Sequence, residues 1–473
     1  MVSVRKLYLP WIVAFVEGFS TLAVEVIAIR LAVPVVGSSI VLTGVMLGVV
    51  LFALSVGYWR GGALSASWSA DKTRRALSRN LLVAGALYGA AAFPLEAAAL
   101  GKFLDWDLPL PLAIGLAALL LLLLPLYLAS QTVPMLAELT NVDGHAGRAS
   151  GRVLFFSTLG SVAGGVVTPV WLFPAIGVQR TGWLICAMLA VAAVLMAFER
   201  RTALSAAMAL GLVAGVSALG VPRHDLFYFD SEYQTIQVIE DQSRDGRPER
   251  VLMSSGGRAS GVYRDTGESS FAYARAAFQA LRESHAGTLL VIGAAGFNLP
   301  RDASTLPYMK VIDAVDVDPA MKPISEQYFL HRALPGMIRF YPLSARYAAR
   351  KFGREGRRYG FTFLDAYFGQ GIPEELVTLD FFEDVRRISD RTVVNFITDR
   401  DLDTAFSHNF LATFRQAFGA AWIVDVAPDD SYFANLLVCS WPIAGTKEWL
   451  GKGTPYRDDN NRAAWEFVRM KWD

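Results

Sequence analysis

Apolar residues run in long blocks through position 221, and beyond it short alternating runs take turns with helical spacings. Seven early stretches reach the roughly 20 residues a bilayer-spanning helix needs: 7–30, 38–59, 80–100, 109–130, 153–175, 181–198 and 202–221. The first is too long for a secretory signal, lacks a small-residue cleavage site and leads straight into the second, so it predicts a retained helix. "LSVGYWRGGALS" and "STLGSVAGGVVTP" concentrate small residues, which let membrane helices approach closely. After Pro222 the period changes. "EYQTIQVIED" and "ERVLMSSGG" read as strands on either side of the turn-rich "QSRDGRP", a small β-hairpin module. "SSFAYARAAFQALRES" has helical spacing behind a Ser-rich start. "TLLVIG", "VIDAVDVDP", "RYGFTFLDAYFG" and "TVVNFI" then predict strands. Between them "PAMKPISEQYFL" and "PEELVTLDFFEDVRRIS" predict helices, the latter with Pro in its first turn. Strands alternating with helices imply a parallel, doubly wound sheet. The expected organisation is a multi-span α-helical membrane domain over 1–221, a β-module over 222–262 and an α/β domain over 263–473.

Charge follows the same division. Up to Val221 there are 14 Lys/Arg and 9 Asp/Glu; from Pro222 there are 30 and 34, net −4. A negative soluble domain lacks the basic footprint of sequence-independent nucleic-acid binding, so no nucleic-acid partner is expected. The two cysteines, Cys186 and Cys439, form no CxxC or Cys/His pair, which argues against a zinc site or a disulfide framework. Most early cations fall in alternate loops with the N-terminus, among them Arg60, Lys72, Arg74, Arg75, Arg79, Arg148 and Arg152. The positive-inside rule therefore puts the N-terminus in the cytoplasm of a multi-pass inner-membrane protein. Seven crossings would then place the soluble domain outside. An interfacial or half-length 202–221 would return it to the cytoplasm, and the sequence leaves that choice open. Glu17, Glu25 and Arg30 lie in or near the first span, where an ionisable group marks either an interhelical contact or a functional site.

Candidate chemistry centres on "LLVIGAAGFNLPRDAS". In doubly wound sheets ligands sit beyond the carboxyl ends of the strands, and small residues after the first strand let them reach the backbone. Gly293, Ala294, Ala295 and Gly296 form that turn, with free N–H groups expected from the element that follows. An acidic residue about 20 positions on, at the end of the second strand, takes ribose hydroxyls. Asp316 fits, and Asp318 is its neighbour, expected on the same face of the strand.

The order "SEYQTIQV", "LLVIGAAG", "VDVDP" and "FLDAYFG" followed by "IPEELVTLDFF" resembles the spermidine synthase (polyamine aminopropyltransferase) family. "EGFSTLAVEVIAIRL" and the span after it resemble that family's membrane-bound branch. The resemblance implies a Rossmann-like, class I methyltransferase-type domain. It implies decarboxylated S-adenosylmethionine or S-adenosylmethionine as co-substrate, a small-molecule amine acceptor, no metal, a lipid bilayer as partner and a homo-oligomer. It also assigns roles: Gln234, the turn 293–296 and Asp316 to the adenosyl donor, and Asp365 to the proton of the attacking amine. Tyr233, Tyr263 and Tyr367 become candidate aromatic faces for a sulfonium or ammonium. The chain departs from the family at several acids. Gly296 or Phe297 stands where an Asp lies in the glycine turn, Tyr367 and Phe368 where a second acid follows the catalytic one, Ser344 of "PLSAR" where an Asp meets the adenine amino group, and "YAR" (Tyr273, Arg275) where the family has a triplet like "YHE". Those carboxylates would bind cationic amines, so the donor and the acceptor both stay open, and Arg275 invites a carboxylate. A lyase or methyltransferase using S-adenosylmethionine, and a non-catalytic ligand-binding membrane sensor or transporter, are the alternative readings.

Overall fold

A computed structural model describes residues 4–36, 40–89, 93–104, 106, 108–197, 200–218, 225–367, 371–426 and 431–472. Two compact units result, Met1–Val35 with Ile40–Arg223, and Val36–Ser39 with His224–Asp473. The junction expected at 221/222 lies outside the described residues.

The first unit is helical: α1 (Val4–Val36), α2 (Ile40–Ser65), α3 (Ala70–Leu87), α4 (Phe93–Leu104), α5 (Leu110–Ser130), α6 (Thr132–Thr140), α7 (Ala146–Val167), α8 (Phe173–Ala197) and α9 (Arg200–Ala218). Among the described residues four helical stretches are long and apolar enough to cross a membrane: Tyr8–Val33, Ile40–Ser65, Pro111–Thr140 and Ala146–Ala197. The stretches expected at 153–175 and 181–198 share the last of these. It passes through a π-helical turn at Thr168–Leu172 and departs from helical geometry at Gly177. The stretch expected at 80–100 divides between α3 and α4, with 90–92 outside the described residues. Near 202–221 the apolar helix Arg201–Gly215 is shorter than a span.

The small residues are contact lines. A Cβ on Gly160 would lie 2.0 Å from the Phe15 carbonyl oxygen, and one on Gly18 1.9 Å from that of Ser157, so α1 and α7 touch backbone to backbone. Glu17, 1% exposed, sits in that seam and accepts from Ser157 Oγ at 2.9 Å and Thr21 Oγ1 at 3.3 Å. It therefore makes an interhelical polar contact, one of the two roles expected for it.

The second unit begins with an antiparallel sheet in sequential order: β1 (Asp225–Asp230), β2 (Thr235–Gln242), β3 (Pro248–Ser254) and β4 (Gly257–Tyr263). It is twice the expected hairpin. Next come α10 (Ala272–Ser284), β5 (Thr288–Ile292), α11 (Asn298–Ala303), β6 (Val311–Asp316), α12 (Met321–Ser325), β7 (Ile338–Pro342), α13 (Ala345–Arg354), β8 (Phe361–Leu364), α14 (Leu379–Ile388), β9 (Thr392–Asp399), α15 (Ala405–Phe418), β10 (Trp422–Asp425), β11 (Phe433–Cys439), β12 (Lys447–Glu448) and α16 (Ala463–Trp472). The sheet order is β12-β10-β11-β9-β8-β5-β6-β7, with β5 to β9 parallel and β11 antiparallel. Setting β12 aside and counting from β5, this is the 6-7-5-4-1-2-3 arrangement of the class I methyltransferase type.

Burial explains the layers. Leu289 and Val291 of β5 face one core with Ala277 and Leu281 of α10; Leu290 and Ile292 face another with Phe352, Phe382 and Phe410. A strand covered on both faces reads as a continuous apolar run. The single helix expected over 373–389 is instead a 3₁₀ turn at Glu374–Leu376 followed by α14, because Thr378 caps the helix by accepting from the Phe381 amide.

Candidate active site

Three parallel strands end beside one another and set the chemistry beyond their carboxyl ends. β5 stops at Ile292, and Gly293 turns the chain with φ +93°. Only glycine fits: a Cβ there would sit 2.1 Å from the Asp365 carbonyl oxygen. The Asp365 amide donates to the Ile292 carbonyl at 2.8 Å, which ties the end of β8 to the turn. β6 ends at Asp316. These ends border a cavity of about 980 Å³, closed on other sides by the β-module and the start of α10. That volume suits a small-molecule site.

Asp316 lines the cavity and is held by its neighbours. Its Oδ2 accepts from the amides of Ala294 and Ala295 at 3.2 and 3.3 Å, and its Oδ1 from the Asp318 amide at 3.0 Å. Burial pushes its pKa up to about 6 against the pull of those amides. The turn's own N–H groups at Ala294 and Ala295 thus aim at the carboxylate and not at open space. Gly293 and Ala295 line the cavity. Ala294 and Gly296 do not: Ala294 is buried, and a Cβ on Gly296 would strike Ser260 Oγ at 2.5 Å. Those two positions shape the turn from behind.

Asp318 departs from the expected placement. β6 has ended, so strand alternation no longer applies, and the side chain is fully buried off the cavity. It accepts from Ser231 Oγ at 2.5 Å, Gln234 Nε2 at 3.2 Å and the Ala320 amide at 3.0 Å. Ser254 Oγ donates to the other end of the Gln234 amide. Gln234, which lines the cavity, is therefore fixed in orientation from both ends, with Asp318 as its anchor.

Asp365 follows β8 and lines the same cavity. Its Oδ1 accepts from Asn395 Nδ2 at 2.8 Å, and the Tyr273 hydroxyl also donates to the carboxylate. Burial pushes its pKa up to about 6, and the two hydrogen bonds restrain the rise. A carboxylate so tuned is ionised near neutral pH and can still take a proton. Asn395, 2% exposed on β9, escaped the sequence reading; its signal was a lone amide inside the apolar run "TVVNFI". The Asp365 carboxylate fixes which way this amide points, and among the described residues its buried Oδ1 has no hydrogen-bond partner.

The three tyrosines all border the cavity. Tyr367 has its hydroxyl occupied, donating to the Asn395 carbonyl at 2.9 Å and accepting from the Ile397 amide at 2.8 Å, so its ring is the part that can face a ligand. Tyr233 is exposed. The Tyr263 ring already stacks with Arg247 at 3.7 Å, and its hydroxyl donates to Asp245 at 3.1 Å. Of the positions where the chain departs from the family, Ser344, Tyr273 and Arg275 line the cavity, and Phe368 lies outside the described residues.

No family model matches the chain. Over 131 residues, 28% of its length, it is 29% identical to a polyamine aminopropyltransferase of Vibrio vulnificus, a match spanning 43% of that relative. The chain thus matches less than half the length of this curated relative. It is also similar to the solved structure of a probable spermidine synthase from Corynebacterium glutamicum, with 18% identity, coverage of 54% of this chain and 95% of that one, and a TM-score of 0.38. For the spermidine synthase of Thermotoga maritima the values are 12%, 52%, 84% and 0.37.

Proposed function

We propose that this protein is an aminopropyltransferase of the spermidine-synthase type, using an adenosyl-sulfonium donor and an amine acceptor, with its catalytic unit carried on a membrane-embedded helical unit. The observation that carries the reading is the pairing, in one cavity, of a half-buried carboxylate at the end of the second parallel strand with another at the end of the fourth. Asp316 is suited to ribose hydroxyls, and Asp365, with Asn395 and Tyr273, to a reacting amine. The likeness to a polyamine aminopropyltransferase supports it over the matched stretch. The four long apolar stretches support the membrane part.

The chemistry needs little from the protein, because a sulfonium is already a good leaving group. Gln234, Gly293, Ala295 and Asp316 hold the adenosyl end, and the Tyr367 ring faces the cationic centre. Asp365 aligns the amine so that its lone pair points at the carbon bound to sulfur. An N–C bond forms as the C–S bond breaks. The bonding pair stays on sulfur and methylthioadenosine leaves. Asp365 accepts the proton from the new ammonium and returns it to solvent.

The test uses the purified full chain in detergent with donor and a panel of amines, reading methylthioadenosine release. Asp365→Asn is expected to lower the rate by about 10²–10⁴-fold while methylthioadenosine still binds. Asp316→Ala is expected to lose that binding. Turnover unaffected by Asp365→Asn would refute the assignment. Methylthioadenosine released from S-adenosylmethionine without any amine would favour a lyase.

A further inference from the structure

A diamine acceptor presents ammonium groups at both ends, and a decarboxylated donor adds a third cation. A cavity built for them would keep several unpaired acids. Of the acids on the β-module side, Asp245 and Glu249 line the cavity, and both are already engaged. Buried Glu249 is ion-paired with Arg258, whose Nη1 also meets Asp241 at 2.8 Å. Asp245 accepts from Ser243 Oγ and from the Tyr263 hydroxyl. Off the cavity, in the loop after β4, Asp265 takes Arg247 at 2.8 and 2.9 Å.

One cation on that wall has a different situation. Arg275 lines the cavity at its exposed mouth and donates through Nη1 to the Ser269 carbonyl at 2.7 Å. Its guanidinium lies 5.8 Å from the centre of the Tyr263 ring. Among the described residues no carboxylate lies within ion-pair distance of it, whereas Arg258, Arg346 and Arg400 on the same cavity each hold one. Arg275 also follows Tyr273 by two positions on α10, about 3 Å along the helix axis, and Tyr273 donates to Asp365. Arg275 and the tyrosine that holds the proton-accepting carboxylate therefore both line the cavity from the first turn of α10.

Building on the adenosyl-donor reading, we infer that the substrate whose reacting end meets Asp365 carries a carboxylate, received by Arg275. A guanidinium holds a carboxylate through two parallel N–H bonds and repels a second ammonium. The carboxylate comes either from the donor, as S-adenosylmethionine with its amino-acid end intact, or from the acceptor, as an amino acid in place of its decarboxylated diamine.

Calorimetry on the full chain in detergent separates these. Methylthioadenosine, which has neither a carboxylate nor an aliphatic amine, reports the adenosyl site alone. S-adenosylmethionine is compared with its decarboxylated form, and, with methylthioadenosine saturating, ornithine is compared with putrescine. In one pair the carboxylated member is expected to bind at least tenfold tighter. Arg275→Gln should abolish that preference, Arg275→Lys should retain part of it, and methylthioadenosine affinity should stay constant throughout. Methylthioadenosine binding with no carboxylate preference in either pair, or a preference that survives Arg275→Gln, overturns the inference and leaves the adenosyl-donor reading standing. Failure of methylthioadenosine to bind the wild type overturns both.

Discussion

Gly293→Ala concentrates the argument in one methyl group. The added Cβ would sit 2.1 Å from the Asp365 carbonyl oxygen, 2.5 Å from its carbon and 2.9 Å from the Ala366 nitrogen, all backbone atoms with no rotamer to escape into. A carbon–oxygen contact needs about 3.3 Å, so the turn and the end of β8 must part by about 1.2 Å. The Asp365 amide to Ile292 carbonyl bond, 2.8 Å long, crosses the same gap and would be stretched beyond hydrogen-bonding range. Its loss costs about 1 kcal/mol, overpacking about 1–3 kcal/mol, and a side chain at positive φ about 1–2 kcal/mol. The total is about 3–6 kcal/mol, or about 6–12 °C in the melting temperature at about 2 °C per kcal/mol for a unit this size. Because Asp365 and the adenosyl turn move apart, affinity for methylthioadenosine should also fall at least tenfold. Gly246→Ala is the control: φ is +77°, with nothing within 4 Å of the added Cβ, so it carries the backbone strain without the collision. Calorimetric affinity and thermal melting of both variants in detergent decide the matter. Wild-type affinity in Gly293→Ala, with melting no lower than in Gly246→Ala, would refute the claim that this contact sets the site's geometry.

Two further predictions concern the pH response of Asp365. Asn395→Leu removes a donor that restrains the burial-driven rise in its pKa, so the acidic limb of the rate profile, expected near pH 6 in the wild type, should move to higher pH; an unmoved limb would mean that this hydrogen bond does not tune the base. Asp365 has its folded pKa raised from 3.8 to about 6 by burial, so the stability it contributes is complete below pH 3.8 and lost as pH rises through about 6. Asp365→Asn should accordingly melt higher than wild type at pH 8, with a smaller advantage at pH 5; melting curves that differ equally at both values would contradict the sign.

What could be read from the sequence follows from which signals are local. β5, β6, β8 and β9 were legible because a strand buried on both faces is mostly apolar, even where Asp313, Thr362 or Asn395 interrupts the run. Asp316 and Asp365 were legible because each is an acid directly after such a run. β4 was not, since "GRASGVY" is rich in Gly and Ser; pairing with β3 and a hydrogen bond from Asn298 Nδ2 to the Gly261 carbonyl hold it, and both are non-local. Asp318 was misplaced because period-two alternation was carried past the end of β6, where the chain turns and the carboxylate swings to Ser231 and Gln234, more than 80 residues upstream. Asn395 was invisible for the same kind of reason: its partner Asp365 lies 30 residues away on a neighbouring strand element. The case of Arg275 shows why identity alone was insufficient there. An arginine at the start of an exposed helix is ordinarily a solvated charge, and nothing in "FAYARAAF" says otherwise. It gains meaning only once Arg258, Arg247 and the Tyr263 hydroxyl are seen to occupy the acids that would have neutralised it or bound a polyamine. Charge selectivity at this wall of the cavity therefore depends on which pairs have already formed.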